Sequence, residues 1–213
     1  MRVPLVVVLS LAVGCGQAPA DRPDDVKPEP ATAATSAVAA TAEAPQAAGF
    51  TRTLGLLGIT FRVSCPNRGS INTLQIEPEG LLTDNSPMVQ EVEGTVRGAD
   101  VADLNADGSP EVYVYVQSAG SGSYGSLVAY SANNLKSVSG IYLAELADDA
   151  RASRGYMGHD EFTIVKDRLV RRFPIYRESD TNAKPTGGTR EVTYQLQAGE
   201  AGWLLRIESV VDR

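Results

Sequence analysis

Apolar and polar residues alternate with a period of two over most of the chain after residue 50. Residues 59–64 place Ile, Phe and Val at every second position, and residues 112–117 do the same with Val. This alternation is typical of strands with one buried face. Similar patterns predict further strands at residues 73–77, 126–131, 140–144, 161–165, 169–176, 190–197 and 203–210.

Turn-forming residues separate these segments at short intervals. They are Pro78-Glu79-Gly80, Asn133-Asn134, Lys166-Asp167 and Gly199-Glu200-Ala201-Gly202. Only residues 146–154 read as helix, and the helix is short. Many short strands joined by turns predict an all-β fold, an antiparallel β-sandwich or flattened barrel of about eight or more strands with one short helix.

The first 15 residues resemble a bacterial export signal. An apolar run at residues 4–13 follows a basic start and is too short to span a bilayer. Residues 11–15, Leu-Ala-Val-Gly-Cys, resemble the bacterial lipobox, whose cysteine receives a lipid. An ordinary cleavage site beside an unrelated cysteine is the alternative. We therefore expect a lipoprotein signal peptide at 1–15 and a lipid on Cys15.

Localisation follows from the same segment. The second residue after Cys15 is Gln17. An acidic residue at that place retains some lipoproteins elsewhere, so Gln17 favours sorting to the outer membrane. We therefore expect a protein of the bacterial cell envelope, anchored in the outer membrane and facing the periplasm.

The composition divides the rest of the chain into two parts. Residues 16–49 are rich in Ala and Pro and have no aromatic residue, so they lack the apolar surface needed to fold and are predicted to form a disordered tether. About 160 residues remain, from 50 to 213, which is the size of one domain.

Charge and composition exclude several functions. The formal net charge of −7 argues against nucleic acid and against anionic headgroups as partners, and favours a cationic one. With Cys15 lipidated, Cys65 has no internal disulfide partner; it is either a small residue at a strand end or an intermolecular link. His159 is the single histidine, too few for a zinc site, and no Gly-x-Ser-x-Gly motif is present. The sequence predicts no catalytic residues and no enzyme. A hydrolase using His159 and its acidic neighbours is a third hypothesis.

A candidate calcium loop lies at residues 103–111. Asp103, Asn105 and Asp107 are followed by Gly108, and Glu111 occupies position nine, as in the first half of a calcium-binding loop. Val114 stands where an EF-hand needs Glu, so the segment is not an EF-hand. A Ca²⁺ site and a tight Asp-Gly turn capped by its own side chains both fit this pattern.

Two loops are candidates for recognition. Residues 118–126 combine Ser and Gly with a single aromatic, Tyr124, which is a composition favoured at protein-binding loops, although a plain flexible hairpin has it too. No Lys follows and no helix begins there, which excludes a phosphate cradle. Residues 177–190 form a longer loop, either a second contact or a disordered connection.

These stretches resemble the periplasmic inhibitors of invertebrate-type (I-type) lysozyme. The resemblance extends over most of residues 53–206. It is carried by residues 101–111, 118–126, 155–162, 171–176 and 180–189.

The resemblance implies a site and a partner. In that family a Ser-Gly-x-Tyr loop enters the lysozyme active-site cleft, and the matching residues here are Ser121, Gly122 and Tyr124. It implies that the Ser121 hydroxyl faces the catalytic carboxylates and that Tyr124 packs in the cleft. The partner would be a lysozyme, I-type first, with no cofactor required, and a homodimer is compatible with the family. A second contact loop would use the residues Lys184, Thr186, Gly187 and Gly188.

Two functions follow from these observations. The leading hypothesis is a lysozyme inhibitor that protects bacterial peptidoglycan. The alternative is a calcium-stabilised β-rich envelope module that binds a glycan or a protein.

Overall fold

The computed structural model describes residues 49–200 and 202–213. The predicted signal peptide, Cys15 and residues 16–48 of the tether lie outside the described residues. Within the described part, no helix is both long and apolar enough to cross a membrane.

The described residues are almost entirely β-structure. A 3-10 turn at Leu146–Asp148 and the single-turn helix α1 at Ala150–Ser153 form where the short helix is predicted. The strands are β1 Phe50–Leu56, β2 Ile59–Cys65, β3 Ile71–Glu79, β4 Met88–Glu93, β5 Thr95–Ala102, β6 Glu111–Gln117, β7 Gly125–Asn133, β8 Ser137–Leu143, β9 Glu161–Val165, β10 Arg168–Pro174, β11 Thr189–Ala198 and β12 Trp203–Asp212.

The strands form two sheets, and the predicted all-β class is confirmed. One sheet has four strands in the order β1-β2-β3-β4; the other has eight, in the order β5-β6-β7-β8-β12-β11-β10-β9. The pairing is antiparallel with one exception among the described strands, because β8 and β12 run parallel. The antiparallel prediction is wrong for that pair. The pair joins strands β5 to β8 to strands β9 to β12 in one sheet, although β8 and β12 are distant in sequence.

Strand β6 is buried on both faces and separates two apolar cores. Its valines at 112, 114 and 116 pack against the four-stranded sheet, in a core that includes Phe61 and Leu74. Tyr113 and Tyr115 point the other way, into a core formed with β10, β11 and β12. Burying each of these valines contributes about 1.5–3 kcal/mol. The alternation read from residues 112–117 is therefore correct, but it does not distinguish a buried face from an exposed one.

The eight-stranded sheet curls until it is nearly a closed barrel. Phe162, on the edge strand β9, stacks on Tyr115 of β6 with the ring centroids 5.8 Å apart and the planes 8° from parallel. This contact joins the two ends of the sheet and encloses the second core. The curl also gathers the connections β6–β7, α1–β9 and β10–β11 on one side of the barrel.

Three strands are not predicted by the pattern of apolar and polar residues. Strands β1 and β4 expose many of their residues, and β5 contains Gly98 beside a register shift, so apolar alternation is weak in all three. The predicted turn at residues 78–80 is also displaced. Pro78 is buried inside β3, where β4 no longer pairs, and a proline is tolerated in a strand that has a neighbour on one side only. The chain reverses afterwards, at Gly80, whose φ is +94°.

Candidate binding site at one end of the barrel

Three segments meet at one end of the barrel, and together they are called the platform here. The tip loop, residues 118–124, joins β6 to β7, and the brace segment, residues 154–160, precedes β9. The long loop, residues 175–188, joins β10 to β11. The brace segment and the long loop pair through a β-bridge between Tyr156 and Ile175. The Asn182 side chain of the long loop reaches the Ser121 carbonyl of the tip loop, so the two recognition loops predicted from the sequence lie side by side.

The tip loop is closed by hydrogen bonds at its base. The Ser118 N–H donates to the Tyr124 carbonyl at 2.8 Å, and the Tyr124 N–H donates to the Ser118 hydroxyl oxygen at 2.9 Å. Higher in the loop, the Ser123 N–H donates to the Gly120 carbonyl at 2.9 Å. These bonds leave Ser121 exposed at the tip. The flexible hairpin, one of the two sequence alternatives, therefore has a defined base.

The brace segment grips the tip loop through its main chain. The His159 N–H donates to the carbonyls of Gly122 and Ser123, at 2.8 and 3.2 Å. His159 adopts a φ of +61°, which aims its N–H at the loop. Gly158, with a φ of +90°, lies so close that a Cβ there would overlap the Gly122 carbonyl oxygen. Glycine is therefore required at 158 by space and by conformation.

Asn182, in the long loop, joins the same network through its side chain. Its Nδ2 donates to the Ser121 carbonyl at 2.9 Å, and its Oδ1 lies 3.3 Å from Nε2 of His159. The Tyr176 hydroxyl donates to the Asn182 carbonyl at 3.0 Å, and the Tyr176 ring stacks beside the His159 ring. The His159 imidazole thus contacts Asn182 and Tyr176, which is a structural role.

A buried ion pair lies beneath the base of the tip loop. Arg171 of β10 donates from Nε to Asp160 Oδ1 at 2.6 Å, and the Asp160 side chain is fully buried. The other carboxylate oxygen accepts from the Tyr156 hydroxyl at 2.6 Å and from the Gly125 N–H at 2.7 Å. Burial would lower the pKa of Arg171, but the adjacent Asp160 carboxylate outweighs it and raises that pKa. Arg171 therefore stays charged, and both carboxylate oxygens of Asp160 have hydrogen-bond donors inside the barrel.

Tyr124 lies at the edge of the platform and lines an open cleft. Its ring packs edge-on against Tyr156, with the centroids 5.6 Å apart, and 47% of Tyr124 stays exposed to solvent. The cleft has a volume of about 500 Å³ and lies between β7 and residues 141–147. It exists because the β7–β8 ladder ends at the Tyr130–Gly140 pair, after which β8 pairs with β12 instead.

The second contact loop of the sequence analysis is part of the platform. Lys184 and Thr186 are exposed, and Thr186 is held by Asp180, which accepts from its N–H and its hydroxyl at 2.8 Å. Gly187 and Gly188 pair with the main chain of Ile175. The loop, for which the sequence also allowed disorder, is therefore hydrogen-bonded to the barrel. Its role in binding stays a prediction.

The candidate calcium loop lies at the opposite end of β6. Ligand atoms of Asp103, Asp107 and Glu111 lie within 4.8 Å of one another, so the predicted convergence of carboxylates exists. The same side chains also cap the turn: Asp103 accepts from the N–H groups of residues 107 and 108, at 3.1 and 3.0 Å. Glu111 is fully buried, and burial raises its pKa to about 7. Both sequence alternatives, the ion site and the capped turn, fit this geometry.

Sequence reasoning missed the residues that support the tip loop. Arg171 gives a signal, because it is a charged residue in the apolar alternation of β10, and Asp160 adjoins the single histidine. Asn182 gives none, since an asparagine in a long polar loop is unremarkable.

A nearly closed β-barrel that presents three cross-linked loops at one end belongs to the class of scaffolds that carry binding loops on a rigid frame. The family model described as periplasmic lysozyme inhibitor of I-type lysozyme matches residues 75–168. This match confirms the family resemblance found in the sequence. No significant match is found among curated proteins or among solved structures. The matched residues contain the tip loop and the brace segment, whereas Arg171 and Asn182 lie beyond them.

Proposed function

We propose that this protein inhibits lysozyme, I-type lysozyme first, by inserting the tip loop into the active-site cleft of the enzyme. The observation that carries the proposal is the fixed geometry of the tip loop, which holds Ser121 exposed at its end. The family match over residues 75–168 supports the same function and favours it over the glycan- or protein-binding alternative.

The chemistry of the tip suits a glycosidase cleft. Glycosidases of this kind use a pair of carboxyl groups that normally face a sugar. The Ser121 hydroxyl donates to such a carboxylate, and Tyr124 supplies rigid contact area at a small entropic cost. The net charge of −7 attracts a cationic enzyme at long range. The protein then acts by occupying the cleft, without turnover and without a cofactor.

A turbidity assay tests this function. We expect lysis of bacterial cell walls by an I-type lysozyme to stop when the purified protein is added, with a plateau near one molecule of inhibitor per enzyme. Ser121→Ala combined with Tyr124→Ala should abolish inhibition while the protein stays folded, with the Tm lowered by only a few degrees because the Tyr124 ring loses its contact with Tyr156. The matched control, Ser209→Ala at an exposed position of β12, should inhibit like the unaltered protein. Wild-type protein without effect at micromolar excess would refute the proposal.

We propose further that a lipid on Cys15 holds the inhibitor at the outer membrane, facing the periplasm. There the tether would let the domain meet a lysozyme that attacks peptidoglycan. Metabolic labelling with a palmitate analogue tests the anchor: the label should appear on the protein and be lost in Cys15→Ser.

A further inference from the structure

Three consecutive carbonyls of the tip loop are held by groups from other segments. The Ser121 carbonyl accepts from Nδ2 of Asn182, and the next two carbonyls accept from the His159 N–H. We infer that Asn182 and His159 are positioning residues, which fix the tip loop in its binding conformation before lysozyme arrives. This inference rests on the proposed function and deepens it.

The physical reason is the cost of ordering a glycine-rich segment. Fixing the backbone of one residue costs about 1–2 kcal/mol, and the tip loop contains two glycines between residues 118 and 124. A loop already held in the free protein does not lose that entropy on binding, so the complex is tighter and dissociates more slowly.

Asn182 is itself held in the orientation that this role requires. Its Oδ1 faces Nε2 of His159 at 3.3 Å, which directs its Nδ2 towards the Ser121 carbonyl. The Tyr176 hydroxyl fixes its main chain. The long loop and the tip loop are 61 residues apart in sequence at this bond, so the fold delivers the donor.

Contacts to carbonyls leave the tip side chains free. Asn182 and His159 touch the main chain of the tip loop, and Ser121 and Tyr124 remain exposed for the partner. Asn182 therefore controls where the tip stands without competing for the groups that bind. Because Asn182 lies beyond the residues matched by the family model, this role is read from the structure alone.

The test measures loop order in the free protein and kinetics in the complex. Asn182→Ala should raise the fast motion of the amides of residues 121–124 in ¹⁵N relaxation and speed dissociation from I-type lysozyme about tenfold, since one net hydrogen bond and some loop entropy are lost. The association rate should change less than about twofold, and the Tm should fall by no more than about 4 °C. Asn182→Asp should behave alike, because a carboxylate has no proton to donate to the Ser121 carbonyl.

Two further variants separate positioning from other roles. His159→Asn keeps the N–H and accepts a positive φ but loses the ring that orients Asn182, so dissociation should be faster than in the wild type, by less than about threefold and by less than in Asn182→Ala. Gln197→Ala removes an exposed amide at the far end of β11 and should change nothing.

The outcomes distinguish this inference from the proposed function. Amides of residues 121–124 that are equally ordered in Asn182→Ala would overturn the positioning role, whatever the protein binds. Increased motion with an unchanged dissociation rate would overturn the link between loop order and affinity. A wild-type protein that leaves I-type lysozyme active would refute the function, while the relaxation data would still decide the positioning role.

Discussion

Asp160 accepts the Gly125 N–H at 2.7 Å while Arg171 donates to the same carboxylate at 2.6 Å, so an ion pair in the barrel interior fixes the first residue of β7. Gly125 lies outside the β7–β8 ladder, which begins at Tyr130. The Asp160 side chain thus supplies the hydrogen bond that a neighbouring strand would otherwise supply. The base of the tip loop is tied to the core through this bond.

Breaking the ion pair should be costly. Arg171→Met leaves a buried, unpaired carboxylate and should reduce the free energy of unfolding by about 3–5 kcal/mol. Urea unfolding measures this loss. The double variant Arg171→Met with Asp160→Leu removes both charges and should be less destabilised than the sum of the two single variants. Additive losses would show that the two charges do not interact.

Glycine at 158 should be essential to the platform. In Gly158→Ala the new methyl group meets the Gly122 carbonyl oxygen and the residue must hold a φ of +90°. We expect a stability loss of about 1–3 kcal/mol together with weaker inhibition. Thermal unfolding and the turbidity assay measure the two effects. Gly120→Ala is the matched control, because a Cβ there meets no atom within 4 Å; equal losses in both variants would contradict the close-approach argument.

Glu111 should make stability depend on pH in the opposite sense to an ordinary carboxylate. Burial raises its pKa to about 7 in the folded protein, against 4.5 ordinarily, so the folded state binds the proton more tightly. Its contribution to stability is therefore greatest below pH 4.5 and is lost as the pH rises towards 7. Between pH 5 and pH 8 the loss is about 2–3 kcal/mol.

Urea unfolding of Glu111→Gln checks this pH dependence. The variant should lose most of the difference between pH 5 and pH 8, whereas Glu93→Gln, an exposed carboxylate of β4, should retain it. A Glu111→Gln curve that still falls by the full amount would assign the effect to other groups.

The predicted Ca²⁺ site has a direct thermal test. An ion held by Asp103, Asn105, Asp107 and Glu111 stabilises only the folded state, so adding millimolar Ca²⁺ should raise the Tm and a chelator should lower it. Asp103→Asn should abolish the response. Because the ion needs an ionised Glu111, the response should grow from pH 5 to pH 8. A Tm independent of Ca²⁺ at pH 8 would leave the capped turn as the role of this loop.

Local patterns were sufficient for most strands because side chains on a strand alternate between faces whatever the strand pairs with. Residues 161–165 match β9 at both ends, and the turn at Lys166 follows from local conformation. The tip loop and the family were also readable, since Ser121, Gly122 and Tyr124 are close together in the sequence. Strands β1, β4 and β5 were not, because their apolar alternation is weak.

By itself, the sequence determined the all-β class and indicated the loop that we propose binds lysozyme, while the export signal and the tether stay predictions. The tertiary structure decided which segments meet: β8 pairs with β12, Arg171 reaches Asp160, and Asn182 reaches Ser121. These contacts depend on the order of strands in the curled sheet, and no residue's local preference encodes that order. The sequence therefore identifies the tip loop as the candidate binding loop, while the fold supplies the residues that fix its conformation.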